Sequence, residues 1–236
     1  MKTRPGEMRA TTIKDARELG LFPSVTTVLQ LISKPGLDSW RIEQGIRAVL
    51  AHPFDGDDLD EYISRMLLRA DDERNRAADF GTEIHNAVCN MLGGQRHENP
   101  DTPYILAKPI AEGVCEWLAR NGYEVVATEQ TVVGKEYAGT IDLRAYWHGK
   151  RVLCDFKTSE FSAKKGPNSY AEHRYQLAGY DSLLENWAEE RHIIYISRSE
   201  IGLVVAKPCV EPSHDDNAWQ KIWECWCALN KWRVEA

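Results

Sequence analysis

Gly139-Thr-Ile-Asp142-Leu-Arg-Ala-Tyr-Trp147, then His148-Gly-Lys150, then Arg151-Val-Leu-Cys-Asp155-Phe-Lys157-Thr158 reads as a β-hairpin with two apolar, β-branched and aromatic arms around a polar turn. Side chains alternate along a strand, so Leu153, Asp155 and Lys157 share one face while Val152, Cys154 and Phe156 take the other. Asp155 and Lys157 are then roughly 6 to 7 Å apart, two residue rises, and Asp142 leans towards the same point from the neighbouring arm. Two acids and a lysine on an otherwise apolar hairpin carry a desolvation cost that an ion or a partner must offset. The plainer alternative is an exposed ion pair of little energetic value. The apolar Val152-Leu153-Cys154 run before Asp155 argues for a buried strand instead.

Upstream, the chain reads as helical. A short helix is expected at Lys14 to Leu19, and Ser24 is a plausible N-cap for the run that follows. Lys34-Pro35-Gly36 looks like a stop, and Asp38 can cap a helix through Val49. Further helices are expected from Asp58 to Ala70, from Asp72 to Leu92, and from Tyr104 to Arg120 after a loop with Pro100 and Pro103. In the second of these Gly81, Ile84, His85, Val88 and Leu92 recur at helical spacing, so His85 projects from the core-facing stripe. A histidine there is more often a hydrogen-bonded core residue than a ligand.

Downstream, Glu124 to Val133 is a strand ahead of the hairpin, Tyr170 to Glu190 a helix, His192 to Ser197 and Leu203 to Ala206 a strand pair, and Asp215 to Arg233 a closing helix. Helices, three strands, helix, two strands and a helix predict an α/β (α+β) fold, a mixed central sheet covered by helices. We divide it into an N-terminal helical region, 1–71, and a core, 72–236. Trp219, Trp223 and Trp226 repeat at i, i+4 and i+7, the pattern of a helix sealed against a core rather than of a base-stacking platform.

A formal charge of −7 over 236 residues argues against coating nucleic acid by bulk charge, but leaves room for a local basic groove. Lys164-Lys165 and Arg65, Arg69, Arg74 and Arg76 could supply one, though such runs are usually solvated faces. No apolar run approaches the roughly 20 residues of a membrane helix, and the polar N-terminus lacks a signal-peptide core. We therefore expect a soluble, intracellular (cytoplasmic) protein. Six scattered cysteines fit reduced thiols, and Cys225-x-Cys227 with Cys209 and His214 fits no standard zinc spacing.

Gly139-Thr140-Ile141-Asp142 followed by Asp155-Phe156-Lys157-Thr158, with His85 on an earlier helix and Gln176-Leu-Ala-Gly-Tyr180 on a later one, resembles the PD-(D/E)xK nuclease superfamily. Within it the chain is most similar to the RecB-type exonuclease branch, some of whose members also open with a segment like Pro23-Ser-Val-Thr-Thr-Val-Leu29. The resemblance implies a restriction-endonuclease-like core and a metal-dependent DNA exonuclease acting on single-stranded DNA or DNA ends. Asp142 and Asp155 would be the metal-binding carboxylates, His85 and the Phe156 carbonyl further ligands, and Lys157 the residue that holds the attacking water. Gln176, Tyr180 and Thr158 would serve the substrate side. Mg²⁺ or Mn²⁺ would be the cofactor, since carboxylate oxygens suit these ions. No cysteine precedes His85 in the way the branch's iron-sulfur members require, so no such cluster is expected. The branch also implies a setting in phage or bacterial recombination, replication or repair, beside a recombination or single-strand annealing protein. Glu129 on the preceding strand is a further acid, of a kind usually just exposed. Two other readings remain: an inactive DNA- or protein-binding module on the same fold, and a sequence-specific endonuclease.

Overall fold

The computed structural model describes residues 13–54, 56, 58–93 and 104–232. The polar first residues, the expected loop with Pro100 and Pro103, and Arg233 lie outside the described residues. The chain forms α1 (Ile13–Leu19), α2 (Val25–Val28) running into a 3-10 turn (Leu29–Leu31), α3 (Pro35–Ala51), α4 (Leu59–Met91) and α5 (Tyr104–Arg120). Then come β1 (Tyr123–Val133), β2 (Ala138–Trp147), β3 (Lys150–Ser159), α6 (Ala171–Leu183), β4 (Glu190–Ser197), β5 (Val204–Pro208) and α7 (Pro212–Asn230).

The five strands make one sheet in the order β1-β2-β3-β4-β5. Only the β3–β4 pair is parallel, and α6 makes the crossover that a parallel pair requires. The expected mixed sheet flanked by helices, with a helical N-terminal region, is what forms. One face packs Ile84 and Val88 of α4 and Ile110, Val114 and Leu118 of α5 against Val152, Cys154 and Phe156. The other packs α2, α6 and α7 against Leu153, Ile193 and Tyr195. The alternation expected along β3 therefore holds. Trp219, Trp223 and Trp226 are buried in the second layer, the last two stacked with centroids 5.7 Å apart. No helix among the described residues is long and apolar enough to cross a membrane.

Element boundaries depart most from expectation in four places. The separate helices at Asp58–Ala70 and Asp72–Leu92 are one helix, because Asp71-Asp72 contains no breaker and both segments propagate the same hydrogen-bond ladder. Lys34-Pro35-Gly36 starts α3 as much as it stops the turn before it: Pro35 occupies the first helical position, where its missing N–H removes no bond. α6 ends at Leu183 rather than Glu190, since Glu185 and Asn186 take left-handed backbone with φ of 55° and 56°. α7 begins at Pro212 rather than Asp215, by the same rule as α3. Ser24 does cap α2, its side chain accepting from Thr27 N–H at 3.0 Å.

Candidate metal centre and active site

The site sits where two strands part. The β2–β3 ladder runs from Trp147↔Lys150 to Leu143↔Cys154 and goes no further. Beyond that point the Phe156 N–H is taken by the Asp142 side chain, Oδ2 at 2.7 Å. A carboxylate thus occupies the place of a backbone carbonyl and stands in the fork. The distortion extends to β1: Thr128 pairs with Leu143 and Gln130 with Ile141, while Glu129 and Asp142 between them form no pair, and Glu129 has φ of 47°. A non-glycine residue in left-handed backbone within a strand is strained, a condition that clusters at functional sites. Ile141 packs on the α6 side and Leu143 on the α4 side, so strict alternation fails in β2 at Asp142.

The fork opens the sheet to both faces. From α4 comes His85, with Nδ1 3.6 Å from Asp142 Oδ2 and its ring edge-on to Phe156 at 5.8 Å. Burial, and then the nearby Lys157 ammonium, hold that imidazole below its usual pKa, so it is a neutral donor. His85, Glu129 and Asp142 each offer a ligand atom within 4.8 Å of the others. Cys89, one turn after His85, donates its thiol to Glu129 Oε1 at 3.5 Å. Glu129 is the acid the sequence left on a surface; nothing in its neighbours signals the backbone turn that aims it inward.

From β3 come Asp155, fully buried, and Lys157, whose Nζ lies 2.6 Å from Asp155 Oδ2. That close contact with the ammonium is an ion pair, and no other polar group hydrogen-bonds the Asp155 carboxylate. Burial lifts both Asp142 and Asp155 to about 6, against the pull of Lys157. Each acid is raised further by a neighbouring carboxylate: Glu129 acts on Asp142, and Asp142 on Asp155. Burial also works against the Lys157 ammonium, but Asp155 and Asp142 outweigh it and raise its pKa. Buried carboxylates with free lone pairs, excess negative charge and a neutral imidazole in one place are a donor set that fits a hard divalent cation.

Lys157 is steered from α6. Its Nζ donates to Gln176 Oε1 at 3.0 Å, and Gln176 Nε2 donates to the buried Tyr180 hydroxyl at 2.8 Å. The hairpin residues and the α6 residues singled out in the sequence thus meet, except for one. Thr158 faces the opposite side of the sheet, against Gly81 of α4, where an added Cβ would come within 2.6 Å of its hydroxyl. Gly139 keeps the Tyr180 ring in place, since a Cβ there would lie 2.5 Å from Tyr180 Cε1. Gly139→Ala should cost about 1 to 3 kcal/mol by overpacking and lower activity by displacing the Tyr180–Gln176–Lys157 chain. A urea melt and a turnover assay check both.

A half-buried histidine borders the site. His173 Nδ1 meets the Tyr195 hydroxyl at 3.1 Å, and burial, followed by Lys157 and Lys34, pushes its pKa down to about 3. The unfolded chain binds this proton below its ordinary pKa of about 6.5, so the stabilising effect of the neutral ring is complete above that value and lost as pH falls towards 3. The stability advantage of wild type over His173→Gln should shrink by about 2 kcal/mol between pH 7 and pH 5. Equal pH slopes in chemical denaturation of the two proteins would contradict this.

Among the described residues Cys209, His214, Cys225 and Cys227 form no metal-ligand group. No family model matches the chain. It is 26% identical over 220 residues to mitochondrial genome maintenance exonuclease 1 of Mus musculus, a match covering 87% of this chain and 56% of that protein. The chain thus spans little more than half the length of this relative. Among solved structures it is 19% identical to SSO0001, over 62% of this chain and 74% of that one, with a TM-score of 0.29, too low to relate the two folds.

Proposed function

We propose that the chain is a metal-dependent deoxyribonuclease of the PD-(D/E)xK type, most similar to its RecB-like exonucleases, with the sheet fork as its active site. The observation that carries the reading is the convergence of Asp142, Asp155 and Lys157 with His85 and Glu129 around a break in the sheet. Its likeness to an exonuclease supports the same reading. His85, Asp142 and Asp155, with Glu129 and the Phe156 carbonyl at hand, would hold Mg²⁺ or Mn²⁺. When bound, such an ion lowers the pKa of water and stabilises negative charge on a phosphate.

The remaining work falls to the chain's own groups. Lys157, a quarter exposed, presents its ammonium at the mouth of the site, where it can orient a water and offset charge on the scissile phosphate. Gln176 accepts from that ammonium and removes one of its rotational choices; Tyr180 in turn fixes the amide. Asp142 would ligate the ion and also ties the fork to the Phe156 amide, so loss of its carboxylate would loosen the backbone as well. In-line hydrolysis of phosphodiesters with little sequence preference follows from recognition through phosphates. We further propose the N-terminal helical region, 1–71, as a unit packed on the nuclease core, 72–236, with α4 shared across the boundary. DNA ends or single strands would be the substrate in recombination, replication or repair, with an annealing or recombination protein as partner.

Digestion of 5′-labelled and 3′-labelled single-stranded and duplex DNA, with Mg²⁺, Mn²⁺ or a chelator, tests the reading. Metal-dependent release of mononucleotides from one end is expected. Cleavage of a covalently closed single-stranded circle would overturn the exonuclease assignment, discrete bands would favour a sequence-specific endonuclease, and no hydrolysis with either ion would favour a binding module.

A further inference from the structure

The hairpin of α3 and the first half of α4 is unlike the rest of the molecule. α3 buries none of its residues, although Ile42, Ile46, Val49 and Leu50 form one apolar stripe at helical spacing. On α4, Leu59, Ile63 and Leu67 form a second stripe beside it. These seven side chains are 44–74% exposed. A groove of about 550 Å³ runs between the helices, with Tyr62 and Met66 at its floor and Arg41 and Asp71 at one end. Soluble surfaces rarely leave so continuous an aliphatic strip uncovered.

We infer that a second copy of this chain covers it, the two α3–α4 hairpins closing into a four-helix bundle about a two-fold axis. The area suffices. At roughly 50 Å² of exposed apolar surface for each aliphatic side chain, the strip offers about 350 Å²; with the polar rim that normally accompanies such area, this comes to about 600 Å² per partner, the low end of specific interfaces. The charges are also right. Asp60 and Arg74 flank the α4 stripe and bracket Leu67 symmetrically. Antiparallel packing about Leu67 sets each Asp60 against the partner's Arg74, the self-complementary arrangement that a two-fold interface requires. Arg74 already meets Asp71 at 3.3 Å within its own chain but stays 38% exposed, open to a second acid.

Nucleic acid fits this groove poorly. Its walls are aliphatic, Tyr62, the one aromatic ring lining it among the described residues, is buried and donates to the His52 carbonyl at 2.9 Å, and Asp71 stands at its rim. Stacking platforms instead combine exposed rings with cations.

Sedimentation of the full chain over a concentration series tests the inference. Wild type should be a dimer, and Leu67→Asp, at an exposed position, should weaken it by roughly a hundredfold while leaving the circular dichroism melt unchanged at dilutions where both proteins are monomeric. Asp60→Arg and Arg74→Asp should each weaken dimerisation alone, and mixing the two should restore it as a heterodimer, which damage to a single helix cannot do. A monomer at all concentrations would overturn the proposal, as would a dimer indifferent to Leu67→Asp. So would a monomeric wild type whose affinity for a single-stranded oligonucleotide falls with Leu67→Asp, which would assign the groove to DNA. Failure of the mixture to restore the dimer would overturn the antiparallel pairing.

Discussion

Asp155→Asn should lower metal-dependent DNA hydrolysis by on the order of a thousandfold or more while leaving the fold intact. The change is isosteric, and Lys157 keeps Gln176 Oε1 at 3.0 Å as a partner. What disappears is a carboxylate that is fully buried yet held by no polar group other than the Lys157 ammonium. Burial has already lifted this acid to about 6, so at neutral pH its charge works against the folded state. The thermal midpoint of Asp155→Asn should therefore hold or rise. Loss of activity together with retained or increased stability is the signature of a group placed for chemistry rather than packing. Release of label from single-stranded DNA with Mn²⁺, measured alongside a melt, gives both quantities. Unchanged hydrolysis in purified protein would end the proposed mechanism, and a collapse in stability would recast Asp155 as structural.

Arg191→Met should cost about 3 to 5 kcal/mol, among the larger effects of any single substitution. Arg191 is 6% exposed at the start of β4. Its guanidinium gives Nε and Nη2 to Asp181 Oδ2 at 3.0 and 2.7 Å, and Nη1 to Asp216 Oδ1 at 2.5 Å. Asp181 also accepts the Ala188 N–H at 2.9 Å, tying the loop after α6 to the same cluster. The three charges thus join α6, β4 and α7, and truncating the arginine strands a buried carboxylate. For a chain of this length the midpoint should fall by roughly 10 °C. The double variant Arg191→Met with Asp181→Asn should recover part of the loss, because the uncompensated charge is then gone. A single variant melting within about 2 °C of wild type would show that the network contributes little.

These two sites differ in how far the sequence reveals them. Asp142, Asp155 and Lys157 were legible because strand alternation is a local rule, and an apolar run carrying acids on one face breaks it visibly. His85 was legible as a position on a helical stripe, and its role only through its company. Gln176 and Tyr180 follow from i, i+4 spacing on one helix face. Arg191 gave no signal, because its partners lie on α6 and α7 and no periodicity links them. Thr158 resembles a substrate-side residue beside Gln176 and Tyr180, but the same alternation that unites Asp155 and Lys157 sends it to Gly81 on the other face.

The sequence by itself determined the order of the elements, the mixed sheet under helices, and the faces of β3, since these depend on periodicities of two and 3.6 that each segment carries within it. Only the tertiary structure decided that Asp142 replaces a backbone carbonyl at the fork and that Glu129 turns inward through a left-handed backbone. Both are settled by where a strand ladder stops. That stopping point is fixed by groups distant in the chain competing for the same amide or the same volume, a competition that no local pattern records.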